Sequence, residues 1–302
     1  MTYRVIKRRK RANFTSRLDS LTDPVQLAVA MFDVTYSETA RYNPWLRMSG
    51  LMDACIREYI LGHSLNRTGI RRIDANLAVI FDLGTGLHRT MQNSPRYLGG
   101  RLVGRWECFS CGHITAVGVK PDKCDKCNGR SAAMRYREVE LRIRGCRAHP
   151  DGFVLLDDAG LIRVVEIKSM SSKEFVTLKH SPLAAHAYQL NGYMAMANIL
   201  EQKNKMPITV DTGSGYVVYV SKEHPGARVH PLKVFRVIRE PVYQQDAIEK
   251  INMYNACYDP MQKLITELPA PIRDCAGHNF LNFRAKRCPV GKECQRENDK
   301  GK

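Results

Sequence analysis

The sequence predicts an α/β protein: a mixed β-sheet flanked by helices, with a small metal-binding ribbon inserted ahead of its central hairpin. Two apolar runs, 151–156 and 161–168, are joined by a short Asp/Gly turn, which is typical of a β-hairpin. Segments of helical periodicity lie on both sides of this hairpin. Two Cys-x-x-Cys pairs stand between the first helices and the hairpin.

The second strand of the hairpin carries an acid and a base on one face. The period of two places Glu166 and Lys168 together and turns Ile167 the other way. Asp151, at the start of the partner strand, comes within reach of Glu166. Two carboxylates beside a lysine can bind a hard divalent cation and orient a water, which is the equipment for phosphodiester hydrolysis. The alternative is an exposed hairpin end with an Asp cap and a Glu–Lys surface pair.

Composition and charge point to a polyanionic partner. The chain has 302 residues, 44% hydrophobic and 25% charged, as in ordinary globular proteins. Its 47 Lys and Arg outnumber 30 Asp and Glu, giving a net charge of +17. This excess favours nucleic acid first and a membrane surface second. The basic run 7–11 is interpreted as a solvated arm that is able to touch phosphates.

No apolar run approaches the ~20 residues of a membrane span, and no apolar stretch of a secretory signal follows the basic start. The expected location is therefore the cytoplasm. In that compartment ten cysteines indicate metal binding rather than disulfides.

Four of these cysteines have the spacing of a zinc ribbon. Cys108 and Cys111 form one knuckle, and Cys124 and Cys127 form the other. Four thiolates within tetrahedral reach predict a closed structural zinc site, which stabilises a small fold and does not catalyse. The ribbon is basic, so it either touches DNA or only braces the insertion.

Helices are predicted before and after the hairpin. The first starts at a Ser49 cap and runs past Cys55 to about residue 62, and the second covers about 74–91. In the second, Gly84 and His88 are spaced i, i+4 and share a face. We expect one strand over about 133–144, others at 217–220 and 234–238, and a long helix from about 241 to 268.

Ser181-Pro182 signals the start of a helix that reaches about residue 200. On it His186, Gln189 and Tyr193 line one stripe. Gln189 and Tyr193 can both donate hydrogen bonds to phosphate, and Tyr193 can stack on a base.

The tail contains three cysteines in a polar, loop-like setting: Cys275, Cys288 and Cys294. They suggest a metal site whose fourth ligand comes from elsewhere. Cys55 is the natural candidate, because Cys146 and Cys257 lie in apparent strand and helix interiors.

Taken in order, these pieces resemble the RecB-type nucleases of the PD-(D/E)xK superfamily, and among them the iron–sulfur exonucleases of CRISPR-associated and bacteriophage type. The matching segments are Gly84 to His88 for Gly-x-x-x-His, Asp151 for the central aspartate, 166–168 for (D/E)-x-K, and 189–193 for Gln-x-x-x-Tyr. The resemblance covers about residues 45–295, with the ribbon as an insertion.

The resemblance implies a restriction-endonuclease-like core and a role for each matching position. His88, Asp151 and Glu166 would hold one or two Mg²⁺ or Mn²⁺ ions, with the carbonyl of Ile167 as a further ligand. Lys168 would orient or deprotonate the attacking water. The matching glutamine and tyrosine, Gln189 and Tyr193, would position the strand and the scissile phosphate.

The family also places one cysteine before the core and three after it, around a [4Fe–4S] cluster. The positions that match here are Cys55, Cys275, Cys288 and Cys294. Two departures stand out: the first gap between the trailing cysteines is twelve residues, and no proline follows Cys55. A second zinc site or structural thiols are the alternatives to the cluster.

The predicted organisation is a basic arm (1–45), N-terminal helices of the core (46–104), the zinc ribbon (105–130), the nuclease core (131–268) and a basic tail with the cluster ligands (269–302). The predicted function is a metal-dependent deoxyribonuclease with DNA as its partner. We expect an exonuclease on single strands or ends, serving recombination, repair or phage DNA processing in a bacterial or phage-infected cell. The alternative is a non-catalytic nucleic-acid-binding protein with a decayed core.

Overall fold

A computed structural model describes residues 36–41, 44–66, 68–73, 75–156, 160–223, 229–272, 275, 284, 286 and 288–300. The predicted basic arm at 7–11 lies outside these residues. The chain divides into two compact units, one formed by 1–39 and 70–82 and the other by 40–69 and 83–302. The second unit contains every residue of the candidate sites.

The described helices are α1 (Ile56–Ser64), α2 (Ala75–Asn93), α3 (Ser172–Thr177), α4 (Ala184–Gln202), α5 (Pro241–Cys257) and α6 (Gly291–Lys300). The described strands are β1 (Tyr36–Arg41), β2 (Leu46–Arg47), β3 (Thr68–Ile73), β4 (Leu102–Val103), β5 (Arg105–Cys108), β6 (Met134–Arg137), β7 (Leu141–Ile143), β8 (Cys146–Ala148), β9 (Gly152–Leu155), β10 (Ile162–Met170), β11 (Ser214–Ser221), β12 (Leu232–Ile238), β13 (Tyr258–Asp259) and β14 (Leu264–Ile265). Among the described helices, none combines the length and apolarity that crossing a bilayer requires.

The main sheet is mixed and has the order β12-β11-β10-β9-β4. Strands β9 and β10 form the predicted antiparallel hairpin, with Val165 opposite Gly152. Strand β10 runs parallel to β11, and Lys168 lies opposite Tyr219. The connection between these parallel strands contains α4. The prediction of a mixed sheet with flanking helices is therefore confirmed.

Two apolar layers cover the two faces of this sheet, because successive side chains of a strand point to opposite sides. Val164 and Tyr219 belong to the layer that also contains residues of α4 and α5. Val165 and Ile167 belong to the other layer, with Met91 of α2. Glu166 has the parity of Val164, so its carboxylate faces α4.

The β5–β6 ribbon is joined to this second layer by aromatic packing. Trp106 is fully buried there and meets Tyr136 edge to face, with ring centroids 5.3 Å apart. The Asn93 side chain at the end of α2 accepts a hydrogen bond from the Tyr136 backbone N–H at 2.8 Å. The ribbon is therefore packed on the core at its stem.

Several predicted boundaries are wrong. The helix expected from Ser49 starts only at Ile56, since 48–50 form a 3₁₀ turn. The long helix ends at Cys257, where an extended Tyr258 begins the β13–β14 hairpin and Asp259 caps its turn. The expected strand over 133–144 is two strands, because β6 pairs with β5 and β7 pairs with β8. The tail, expected to be loop-like, contains α6.

Candidate active site

Helix α2 brings His88 to the start of β9. Its Nδ1 lies 3.2 Å from Asp151 Oδ1. The close approach is made possible one turn earlier at Gly84, where a Cβ would come within 3.2 Å of Ser169 Oγ on β10. The predicted shared face of Gly84 and His88 is thus the face that packs on the sheet.

Asp151 is held from three sides. Its Oδ2 accepts a hydrogen bond from the Ile167 backbone N–H at 2.6 Å, which ties β9 to β10. Its main-chain carbonyl accepts one from Gln92 Nε2 at 2.8 Å. Because the His88 contact uses the other carboxylate oxygen, the orientation of the Asp151 side chain is fixed.

Glu166 is the most deeply buried charged group of the site, with 3% of its surface exposed. Its Oε1 accepts from Gln189 Nε2 at 2.8 Å and lies 2.7 Å from Lys168 Nζ. Its Oε2 is buried and has no hydrogen-bond partner among the described residues. A buried carboxylate oxygen without a partner is costly, so this atom is set up for a ligand that the protein itself does not supply.

The electrostatics of Glu166 agree with that geometry. Burial raises the pKa of Glu166, the negative charge of Asp151 raises it further, and the positive charge of Lys168 lowers it. Two carboxylates held so close repel each other unless a cation lies between them. The fit to a divalent ion is therefore good: two carboxylates and an imidazole converge, and one carboxylate oxygen is unpartnered.

Gln189 and Tyr193 lie on the face of α4 that covers Glu166. Each is 3% exposed, and Gln189 Nε2 donates to the Tyr193 hydroxyl at 2.5 Å as well as to Glu166. The Tyr193 hydroxyl in turn donates to the His149 carbonyl at 3.5 Å. The burial leaves no ring face of Tyr193 for a base to stack on, so both side chains position Glu166 in this structure.

Two further polar residues face the site without having been predicted as ligands. Gln92 Nε2 donates to Glu138 Oε1 at 3.0 Å. The pKa of Glu138 is raised, mainly because burial removes water from its carboxylate. The negative charge of Asp151 also raises this pKa, while the hydrogen bond from Gln92 lowers it. Glu138 lies between β6 and β7 and adds a carboxylate beside Asp151. No sequence motif marks Gln92 as a site residue; the one indication is that it follows His88 by one helical turn.

The ribbon cysteines form a compact site. One ligand atom from each of Cys108, Cys111, Cys124 and Cys127 lies within 4.8 Å of the others. Cys108 Sγ is 3.6 Å from Cys127 Sγ, and Cys111 Sγ is 3.7 Å from Cys124 Sγ. Four sulfurs at about 2.3 Å from one zinc ion stand roughly 3.8 Å apart. The four thiols could thus hold one metal ion such as zinc.

The tail cysteines gather around a cavity against α1. Its lining includes Cys55, Cys275, Cys288 and Cys294. Arg57 of α1 fastens the tail beside it by donating to the carbonyls of Pro269 at 2.7 Å and Cys294 at 3.3 Å. Burial raises the pKa of the Cys288 thiol to about 12, so the positive charge of a bound metal would favour its thiolate form. Of the other two cysteines, Cys146 is buried in β8 and Cys257 ends α5.

Comparison with known proteins gives structural likenesses but no sequence match. No protein-family model matches the chain, and no curated protein matches its sequence. Among solved structures, an alkaline exonuclease from Laribacter hongkongensis matches with a TM-score of 0.38 and 17% identity, over 72% of this chain and 88% of that one. A likeness at this level assigns neither a family nor a function.

Proposed function

We propose that this protein is a metal-dependent deoxyribonuclease that hydrolyses DNA phosphodiester bonds at the site built from His88, Asp151, Glu166 and Lys168. One observation carries the proposal: Glu166 Oε2 is buried and has no partner in the described part of the chain, beside a second carboxylate, an imidazole and an ammonium group. An exposed hairpin end with a surface ion pair, the alternative interpretation, does not bury its glutamate.

His88, Asp151 and Glu166 would hold one or two Mg²⁺ or Mn²⁺ ions, with the Ile167 carbonyl as a further ligand. A metal held here supplies Lewis-acid charge and favours ionisation of a water. The chain supplies the remaining chemistry. Lys168 Nζ, 2.7 Å from Glu166 and 23% exposed at its side chain, donates hydrogen bonds that orient the attacking water and stabilise charge on the phosphate.

The outer contacts of the site keep these groups in place. Gln189, which also donates to the Tyr193 hydroxyl, holds Glu166 Oε1. The Ile167 N–H and Gln92 hold Asp151. Groups fixed in this way need little reorganisation when charge develops on the phosphate.

DNA is the proposed partner because the chain carries a net charge of +17. The ribbon contributes positive charges that can contact phosphates, at Lys123, Lys126 and Arg130. Its metal is proposed to be structural Zn²⁺. The preference for single strands or ends, and a place in recombination, repair or phage DNA processing, rest on the four motifs that resemble the iron–sulfur exonucleases.

The tail cavity is proposed to hold a [4Fe–4S] cluster on Cys55, Cys275, Cys288 and Cys294. Among the described residues, the four ribbon sulfurs lie within 4.8 Å of one another, whereas no three of the tail sulfurs do. Thiols that line one cavity but stand too far apart for a single ion suit a cluster of several metal atoms. This spacing favours the cluster over a second zinc.

Cleavage of 5′- and 3′-labelled single and double strands tests the proposed activity. We expect the protein to degrade DNA with Mg²⁺ or Mn²⁺, and to stop when a chelator is added. Asp151→Asn should remove the activity, because the amide oxygen provides no charge to the metal. Wild-type protein that binds DNA but cleaves nothing with either metal would support the non-catalytic alternative.

A further inference from the structure

His186 lies at the mouth of the candidate site and has no role in the mechanism described so far. It precedes Gln189 by one turn on α4, on the stripe that faces the sheet. Gln189 is buried against Glu166, whereas His186 remains partly exposed. Its Nδ1 lies 2.7 Å from the hydroxyl of Tyr219 on β11.

The bonds around Tyr219 fix the tautomer of this histidine. The backbone N–H of Leu183 donates to the Tyr219 hydroxyl oxygen at 3.0 Å. Tyr219 is fully buried, and the described residues offer its hydroxyl proton one acceptor, His186 Nδ1. Nδ1 therefore accepts, and a neutral His186 carries its proton on Nε2.

The surroundings also keep the ring neutral. Burial lowers the pKa of His186 to about 4, and the positive charge of Lys168 contributes to the decrease. The tilted Tyr219 ring, with its centroid 5.6 Å away, holds the imidazole in place. Together these contacts leave one N–H donor that carries no charge and points away from Tyr219.

The strand register places this donor beside the catalytic lysine. Lys168 and Tyr219 are direct partners on the parallel strands β10 and β11, so their side chains share the face covered by α4. Two residues earlier on β10, Glu166 meets Gln189 of α4. His186 therefore lies on the same side of the sheet as Lys168, near enough to feel its charge, and one helical turn before Gln189 on α4.

We propose that His186 is a phosphate-binding residue of this site: its Nε2–H donates to a non-bridging oxygen of the DNA backbone held beside Lys168. This inference rests on the proposed nuclease function. A neutral donor suits this position, because a second cation next to Lys168 would be repelled, while a phosphate oxygen accepts from both groups.

Two substitutions separate this role from a structural one. In His186→Gln the amide nitrogen reaches the position of Nε2 and can still donate to phosphate. In His186→Asn the amide reaches only the position of Nδ1, where its oxygen preserves the bond from Tyr219. We expect His186→Asn to raise KM for DNA by about tenfold with little change in kcat, as loss of one hydrogen bond to a charged group predicts. His186→Gln should stay within about threefold of wild type.

The melting temperature of His186→Asn should match wild type. His186→Gln should remain folded but melt a few degrees lower, because the buried Tyr219 hydroxyl loses its acceptor. Wild-type KM in His186→Asn, or an equal loss in both variants, would overturn the proposal. If the wild-type protein cleaves nothing, the nuclease function fails separately. In that case, binding of a labelled oligonucleotide without metal, measured by fluorescence anisotropy, tests the contact between His186 and phosphate. Binding about tenfold weaker in His186→Asn than in His186→Gln would support the contact, and equal binding would refute it.

The tautomer has a readout of its own. The ¹⁵N chemical shifts of the His186 ring should show an unprotonated Nδ1 and a protonated Nε2 between pH 6 and 8. A proton on Nδ1, or a ring that becomes cationic in that range, would contradict the proposal.

Discussion

Glu166→Gln should stabilise the metal-free protein at neutral pH, although Glu166 lies at the centre of the site. The substitution keeps the shape of the side chain and removes a charge that burial disfavours. Burial and the charge of Asp151 raise the pKa of Glu166 from its ordinary 4.5 to about 8 in the folded protein. The folded state therefore holds this proton more tightly than the unfolded state does.

The sign of the pH dependence follows from linkage. Between pH 4.5 and about 8 the unfolded glutamate is ionised and the folded one is protonated, so wild-type stability falls as pH rises through this window. Each pH unit in this window lowers the free energy of unfolding of the wild type by about 1.4 kcal/mol at most. At pH 7.5 the ceiling is about 4 kcal/mol, and imperfect replacement of the hydrogen bonds of the carboxylic acid by the amide reduces the net gain to about 2 kcal/mol. That gain corresponds to a melting temperature about 4–8 °C higher.

Thermal melts of wild type and Glu166→Gln, with chelator, at several pH values from 4 to 9 measure this difference. The two melting temperatures should agree near pH 4 and diverge as pH rises. Glu249→Gln on the exposed surface of α5 is the matched control and should show no such divergence. Saturating Mn²⁺ should raise the melting temperature of wild type more than that of Glu166→Gln, because only the carboxylate gives the ion a charged ligand. A gap that does not change with pH would refute the reasoning.

Three further outcomes are expected. Metal analysis should find one zinc per chain in wild type and in Cys55→Ser. Cys108→Ser should lose the zinc and melt at a lower temperature, because the ribbon depends on its metal. Zinc retained in Cys108→Ser would contradict the ribbon site. Wild-type protein purified without oxygen should be brown, as should Cys257→Ser, whereas Cys294→Ser should be colourless. A colourless wild-type preparation with two zinc ions and no iron would exclude the cluster. Gln189→Leu should lower kcat by about tenfold to a hundredfold in a folded protein, because Glu166 loses a charged-group hydrogen bond; unchanged turnover would remove Gln189 from the site.

The elements that position the site were predictable because their signals are local. The alternation in β9 and β10 fixes which face Glu166 and Lys168 share, and helical spacing fixes the common face of Gly84 and His88. The ribbon was predictable from cysteine spacing alone. These patterns depend on neighbours in sequence, so one chain is enough to recognise them.

The remaining features depend on contacts between distant segments. The burial of Tyr193 follows from the packing of α4 on β10 and β11, which its own sequence does not encode. Glu138 belongs to a stretch whose sequence alternates like a half-solvated strand, yet it lies between β6 and β7 and accepts a hydrogen bond from Gln92 beside Asp151. The end of α5 at Cys257 is set by the pairing of β13 with β14, which overrides the continuing helical pattern.

The central claim is that this site hydrolyses DNA with a bound metal, and Lys168→Ala tests it most directly. Lys168 contacts Glu166 but is not a proposed metal ligand, so the variant should keep Mn²⁺ binding and lose cleavage. Single-turnover cleavage of a labelled strand and Mn²⁺ binding are measured on the same preparations of wild type and variant. The account predicts equal Mn²⁺ occupancy with a cleavage rate at least about a hundredfold lower, as expected when a group that stabilises transition-state charge is removed. Wild-type cleavage by Lys168→Ala would contradict it.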